Sequence, residues 1–305
     1  MTGAMILAAG FGTRLRPLTD ERPKPLVWVG DRPLLAHVVD RLARGGVQHV
    51  VMNTFHRAED FGAEALGPLA LPVHVVREAT ILGTAGGVAN AAAWLGEGDA
   101  LVWNGDILID LDVAALVTAH ARHARHARHA HAGVAATLAV APRESGVGTV
   151  GVGAQGEVVR LRGERFGEEV AGGDFVGVQV VGAALRRDLP PEGCLVGDVY
   201  LPWLRQGGAL STFPAPTVWD DVGTVAAYLR ANARWLQGRR EGAFVGAGAV
   251  VADGVTVEAS VVGAGARVLG HGTLRGCVVW PGAEVTIDGS LTDAVMTPAG
   301  RVARG

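Results

Sequence analysis

The chain has one lysine, Lys24, among its 27 basic residues. It has two cysteines, Cys194 and Cys277, which excludes a disulfide scaffold and a Cys-rich zinc site. It has no charge excess: 27 Lys and Arg stand against 30 Asp and Glu, a net charge of −3. That balance excludes the basic face of a nucleic-acid binder, so no nucleic-acid partner is expected. No apolar run reaches the roughly 18 residues of a membrane span, and no membrane partner is expected. The first ten residues have no basic n-region, and their apolar stretch is too short for a signal peptide. The expected location is cytoplasmic.

What is present is apolar and rich in glycine. Hydrophobic residues make up 49% and charged residues 19% of 305, enough to bury a sizeable core. At about 150 residues per domain, the length predicts roughly two domains. Glycine occupies 45 positions, twice the usual share of about 7%. Thirteen of the last 64 residues are Gly, which points to a second architecture there. In a chain so biased toward Arg, the single Lys24 marks a place where a compact ammonium on a flexible stem is hard to replace.

The N-terminal part alternates between two periodicities. Residues 5–8 read as a buried strand that enters the Gly-rich turn Gly10-Phe11-Gly12. Leu34, Leu35, Val38, Val39 and Leu42 recur at helical spacing, and Gly45-Gly46 stops that helix. Residues 47–52, 73–76 and 101–103 read as strands, and 88–95 as a helix. Strands alternating with helices predict an α/β fold with a mainly parallel sheet. Ligands bind such sheets beyond the carboxyl ends of the strands, where the turn after residue 8 and Asn104-Gly105-Asp106 would sit. Residues 113–131 read as a helix running into the tract AHARHARHARHAH, which holds half of the ten histidines. Its period of three drifts around a helix, so it reads as a solvated repeat, with metal or anion binding as the other option. Residues 134–140, 149–152, 158–161 and 175–181 read as strands, and a last helix runs from Thr224 to about Leu236.

From Phe244 a repeat near six residues begins, with Val and Gly recurring. Such a hexapeptide period predicts a parallel β-helix, with a coil of about 18 residues. A strict step of six from Val245 meets Gly263, Arg275 and Pro281 where aliphatic residues are wanted. About three coils are few, and their ends need a cap or a partner.

The chemistry concentrates in LAAGFGTRLRPLT at 7–19 and RPKPL at 22–26. Glycines let backbone N–H groups approach an anion closely. Arg14 presents a fork of donors to phosphate oxygens, and Lys24 adds a second cation. The stretch is not a Walker A loop, and Leu15 stands where a dinucleotide fingerprint needs its third Gly.

These residues resemble the signature of the sugar-1-phosphate nucleotidylyltransferases, also called nucleotide-sugar pyrophosphorylases. The likeness is greatest to members of the mannose-1-phosphate guanylyltransferase type and their uridylyltransferase relatives. Further matches follow in the family's order: LGTAGG at 82–87, Asn104-Gly105-Asp106, and WDDVGT at 219–224 followed by Tyr228-Leu229 and Asn232. The resemblance implies a Rossmann-like nucleotidyltransferase domain over residues 1–241. It implies a short left-handed parallel β-helix over 242–305, as in many members. It implies that Ala8, Ala9, Gly10, Gly12, Thr13, Glu78, Gly83, Thr84 and Asn104 bind the nucleotide. Arg14 would hold the β- and γ-phosphates, and Lys24 the α-phosphate and the incoming sugar phosphate. Asp106 and Asp221 would bind Mg²⁺, although either could instead be a turn or cap residue. On the sugar side, Glu164 and Arg165 match the family's Glu-Lys-Pro only in part, and Gly177 lies on the strand that lines the sugar pocket. Trp28 stands where relatives usually carry Pro.

The implied reaction joins an NTP, GTP or UTP, to a sugar 1-phosphate and releases pyrophosphate. Mannose 1-phosphate with GTP is the leading pair. N-acetylmuramic acid or another sugar 1-phosphate with UTP is the alternative. The nucleophile is already ionised, so no general base is needed, and direct displacement at the α-phosphorus is expected. A non-catalytic sensor of nucleotide-sugars is an alternative of another class, but such a protein would lose the charged residues kept here. A β-helix acyltransferase would have only His271 as a base. The expected role of the tail is assembly or stability, with a homo-oligomer through the β-helix.

Overall fold

A computed structural model of the chain describes residues 3–126 and 134–305. They form two compact units, each built from separate stretches. The first comprises Met1–Gly10, Val38–Phe61 and Pro68–Trp219, and the second Phe11–His37, Gly62–Gly67 and Asp220–Gly305.

The first unit is built on a ten-stranded mixed sheet. Its centre is four parallel strands in the order Val73–Arg77, His49–Thr54, Gly3–Leu7, Ala100–Asn104. These strands read as nearly continuous apolar runs because both faces are covered. Ala4, Met5, Ile6, Val50, Val51 and Met52 are all fully buried. From Gly3–Leu7 the chain moves outward on one side to Val73–Arg77, then returns to Ala100–Asn104 on the other side. That reversal creates a crevice beyond the carboxyl ends of Gly3–Leu7 and Ala100–Asn104. Ala171–Val181 continues the sheet antiparallel to Ala100–Asn104 and in turn pairs with Val134–Arg143. The α/β class and the positions of the central strands agree with the sequence pattern.

The helix expected over 88–95 begins earlier. One helix spans Gly83–Asn90 and a short one Ala92–Leu95, so the LGTAGG stretch at 82–87 runs into the first turn of a helix. Its glycines admit close neighbours. A Cβ on Gly87 would lie 2.6 Å from Asn53 Nδ2, and one on Gly86 would strike the carbonyl of Pro191.

In the second unit, Phe244–Val245, Val261–Val262, Val278–Val279 and Ala294–Met296 stack in parallel. Val250–Val251, Arg267–Arg275 and Glu284–Thr292 form a second parallel stack, which Val255–Glu258 also joins. This is consistent with the coils of a parallel β-helix. The repeat, however, is 17 residues rather than 18. Val245, Val262, Val279 and Met296 are aligned, as are Val251, Val268 and Val285, and likewise Val257, Leu274 and Leu291. Each of these three columns is apolar throughout. The breaks met at Gly263, Arg275 and Pro281 came from stepping by six through a coil one residue shorter than three sixes.

The histidine tract departs from a solvated repeat at its start. The helix Val113–His126 buries His120, whose Nδ1 lies 2.9 Å from Thr137 Oγ1 and whose Nε2 lies 3.7 Å from Asp99 Oδ2. His123 Nδ1 lies 2.8 Å from Ser211 Oγ. His129 and His131 lie outside the described residues. Burial holds His120 below its ordinary pKa of 6.5, opposed by Asp99 and aided by His123. The neutral ring is the form the fold accepts, whereas the unfolded chain takes up a proton near pH 6.5. Stability contributed above that pH is therefore lost as pH falls through it. Thermal unfolding of the wild type is expected to drop more steeply below pH 6.5 than that of His120→Gln. Parallel curves for the two would contradict the buried neutral ring.

Candidate active site

The crevice of the first unit is assembled by polar groups at strand ends. Leu7 is in register with Asn53 on one side and with Asn104 on the other. The N–H of Ala8 donates to Asn53 Oδ1 at 2.8 Å. Asn53 Nδ2 donates to Glu78 Oε1 at 2.7 Å, and the N–H of Leu82 donates to Glu78 Oε2 at 3.2 Å. One chain of hydrogen bonds thus joins the start of the Gly-rich turn to the entry of the helix Gly83–Asn90. Ala9, buried, and Gly10, exposed, continue from Ala8. Across the strand, the N–H of Gly105 donates to the Leu7 carbonyl at 2.9 Å. This close approach holds the turn bearing Asp106, which is half-buried, beside Leu7.

Gly177 joins the same group. Its φ of +74° lies in the region that favours glycine, and a Cβ there would stand 2.7 Å from Asn104 Nδ2. The register of Ala171–Val181 with Val134–Arg143 shifts between Phe175 and Gln179, so Gly177 sits in a bulge that bends the strand at Asn104. Gly83 has a φ of +74°, and Thr84 Oγ1 accepts from the N–H of Leu195 at 2.7 Å. The Thr84 hydroxyl therefore ties the helix entry to the segment after Gly193. Glu164 and Arg165 are not part of this group. They form the edge strand at the far end of the sheet order, and Arg205 grips Glu164 with Nε at 3.0 Å and Nη2 at 2.5 Å. That guanidinium holds the Glu164 carboxyl below the ordinary carboxylate range.

The second unit gathers the cations. Gly12, with a φ of +64°, turns the chain into Thr13–Leu15, and Thr19 Oγ1 donates to the Gly12 carbonyl at 2.9 Å. A Cβ on Gly12 would lie 2.8 Å from Thr19 Cγ2. Thr13 and Arg14 are exposed on that turn. Arg14 Nη2 lies 3.6 Å from Asp221 Oδ2. Of the two adjacent aspartates, Asp220 is buried and paired with Arg234 at 3.0 Å. Asp221 turns the other way, and its Oδ1 is buried without a hydrogen-bond partner. Such an oxygen is costly unless something positive meets it, so the residue fits a cation ligand. Among the described residues no three or more His, Cys, Asp and Glu side chains gather around one point. Lys24 opens the turn Lys24–Leu26, half-buried between buried Pro23 and Pro25.

Two residues of the site were missed in the sequence. Asn53 follows an apolar run as its first polar residue, and on a parallel strand that position is the ligand edge. Gly223 was read only as part of a motif, yet a Cβ there would lie 2.7 Å from Asp221 Oδ1 and 2.8 Å from Arg14 Nη2.

The family profile described as nucleotidyl transferase matches residues 3–238. The chain belongs to the nucleotidyl transferase family. A mannose-1-phosphate guanylyltransferase of Mycobacterium tuberculosis is 42% identical over 122 residues, 38% of this chain and 33% of that protein. The mannose-1-phosphate guanylyltransferase catalytic subunit beta of Danio rerio is 27% identical over 78% of this chain and 66% of its own length. An N-acetylmuramate alpha-1-phosphate uridylyltransferase of Caulobacter vibrioides is 43% identical over 34% of this chain and 45% of its own. The chain therefore spans less than two thirds of the length of these curated relatives. The crystal structure of HddC from Yersinia pseudotuberculosis complexed with GMP-PN shares the fold. Its TM-score is 0.62 at 22% identity, and the match covers 77% of this chain and 100% of that one.

Asn53 is 2% exposed and Glu78 is 7% exposed, and each supplies the other with a hydrogen bond. Asn53→Ala leaves the Ala8 N–H and Glu78 Oε1 without this partner, while Glu78 Oε2 keeps the Leu82 N–H. It is expected to lower stability by about 1–3 kcal/mol, measured by urea denaturation. A loss below about 0.5 kcal/mol would mean that water replaces the amide without cost.

Proposed function

We propose that the chain transfers a nucleotidyl group from an NTP to a sugar 1-phosphate, releasing pyrophosphate, with mannose 1-phosphate and GTP as the leading pair. The observation that carries this reading is the Asp221–Arg14–Gly223 arrangement. An unpartnered carboxylate oxygen and a guanidinium share a space that Gly223 keeps open. With a cation on the carboxylate, this pair would offset the repulsion between two polyanions. The guanylyltransferase relatives support the choice of base and sugar. The Caulobacter relative supports a uridylyl group and an N-acetylmuramate phosphate as the alternative.

In this reading Arg14 neutralises the β- and γ-phosphates. A guanidinium has five N–H donors, so the contact with Asp221 leaves others for phosphate oxygens. Lys24 meets the α-phosphate and the incoming phosphate. Ala8–Gly10, Gly12, Thr13, Glu78, Gly83, Thr84 and Asn104 form the nucleotide site, with Glu78 acting through Asn53 and Leu82. Gly177 leaves room for the sugar. Asp106 and Asp221 would hold Mg²⁺, with phosphates and water completing its shell, and the ion would supply charge neutralisation. The attacking phosphate needs no base, so the protein's work is orientation and electrostatic stabilisation of departing pyrophosphate. Residues 1–241 carry the chemistry, and 242–305 form the β-helix. Within the described residues, Glu284–Thr292 pairs on one edge only, which supports a homo-oligomer through that end. No described helix is long and apolar enough to cross a membrane. The phosphorylated metabolites used as substrates support a cytoplasmic location.

The test is pyrophosphate release with GTP, UTP, dTTP, CTP and ATP, each against a panel of sugar 1-phosphates. Release that requires one NTP and one sugar phosphate is expected. Asp221→Asn and Gly223→Ala should each reduce it by about 10- to 100-fold without unfolding the protein. No release from any pair, with a nucleotide-sugar still bound, would replace this reading with a sensor.

A further inference from the structure

The segment that carries Lys24 is held ahead of Lys24 by the end of the chain, and beyond it by the helix Val225–Arg239, which Trp280 of the coils backs. Ahead of Lys24, Asp20 and Glu21 close the short helix Leu18–Glu21. Arg301 Nη1 lies 2.9 Å from Asp20 Oδ2, and Arg301 Nε lies 3.3 Å from Glu21 Oε1. Thr297 Oγ1, on a residue 1% exposed, donates to Glu21 Oε1. The N–H of Ala299 donates to Glu21 Oε2 at 3.4 Å. Beyond Lys24, the Tyr228 hydroxyl donates to the Trp28 carbonyl and accepts from Trp280 Nε1 at 3.0 Å. Tyr228 is fully buried and Trp280 is 2% exposed. Two residues further on, the N–H of Gly30 donates to Asn232 Oδ1 at 2.8 Å. Between these anchors the Arg22 guanidinium stands 6.0 Å from the Trp28 ring.

We propose that Thr297, Arg301 and the Trp280–Tyr228 pair are positioning residues for Lys24. On this view the C-terminal coils set the geometry of phosphate transfer and do not serve assembly alone. The proposal rests on the reading of Lys24 as the ligand of the α-phosphate and the sugar phosphate. A lysine presents a point charge on a flexible stem, so its placement is only as good as that of its backbone. The backbone here has little regular structure of its own: Lys24–Leu26 is a single 3₁₀ turn. The Arg301 pairs are partly exposed, and exposed ion pairs add little to global stability. Their effect is therefore expected in local order and turnover, not in unfolding.

The experiment uses the full chain. Arg301→Ala combined with Thr297→Val removes the leading anchor, and Trp280→Phe removes one N–H from the trailing anchor while keeping most of the ring. Arg267→Ala, which breaks a surface pair with Glu284 on the same coils, is the control. Two readouts are taken: hydrogen–deuterium exchange of peptides covering residues 18–30, and kcat with KM for the nucleotide in pyrophosphate release. The anchor variants should exchange faster over 18–30 but not over His49–Thr54. Their kcat should fall by about 10- to 100-fold while KM changes by less than about threefold. Arg301→Lys should restore part of both, and Arg267→Ala should match the wild type. Unchanged exchange over 18–30 with unchanged kcat would overturn the proposal. So would exchange raised throughout the chain, which would mark a general loss of stability. If the wild type releases no pyrophosphate but the anchor variants still loosen 18–30 selectively, the functional reading fails and the anchoring stands.

Discussion

The Tyr228 hydroxyl is the interaction on which much of the second unit depends. Burial raises its pKa well above the usual range, so it remains a neutral phenol that donates to the Trp28 carbonyl and accepts from Trp280. A buried hydroxyl with both roles filled fixes three elements at once, because losing either partner leaves a polar atom unpaired in an apolar place. The helix Val225–Arg239 supplies Tyr228, the coils supply Trp280, and the hairpin at Trp28–Val29 receives the hydrogen bond. Asn232, one helical turn on, repeats the device with the N–H of Gly30 and sends its own amide to the Tyr228 carbonyl at 3.0 Å. Helix, hairpin and coils are thereby locked in one register.

The first unit uses the same physics with different residues. Asn53 stands between the Ala8 N–H and the Glu78 carboxylate, and Glu78 reaches the N–H of Leu82. Strand ends that would otherwise be bare loops become a connected polar edge. Elsewhere in the unit, Arg160 and Glu169 do the same for the loop at Gly146–Gly148. Glu169, with its side chain 2% exposed, meets Arg160 Nε at 2.8 Å and the Gly146 N–H at 2.6 Å. Hydrogen bonds from Arg160 and Gly146 pull its pKa down to about 2. In both places a charged group is tolerated inside because its lone pairs are occupied.

Legibility in the sequence followed periodicity. The strands at Gly3–Leu7, His49–Thr54, Val73–Arg77 and Ala100–Asn104 are apolar runs bounded by turn residues, and the helix Leu34–Arg44 shows its buried stripe directly. The coils were legible as a kind but not in pitch. A period of six is visible locally, but a coil of 17 residues emerges only when Val245, Val262, Val279 and Met296 are seen aligned. The histidine tract failed for a different reason. His120 is buried by what packs on it, Thr137 and Asp99, which are distant in the chain.

The sequence by itself determined the elements, the class of fold, the Gly-rich turn with its two cations and the candidate aspartates. All of these are local patterns, set by side-chain period, backbone freedom and charge. Only the tertiary structure decided which polar groups are occupied and which are left open. Asp220 and Asp221 are neighbours of the same type, yet one is buried against Arg234 and the other keeps an unpartnered oxygen. Glu164 was expected near the sugar and is gripped by Arg205. Thr297 and Arg301 carry no motif and nevertheless hold the helix before Lys24. Partnership of this kind depends on distances between residues far apart in the chain, and no local pattern encodes it.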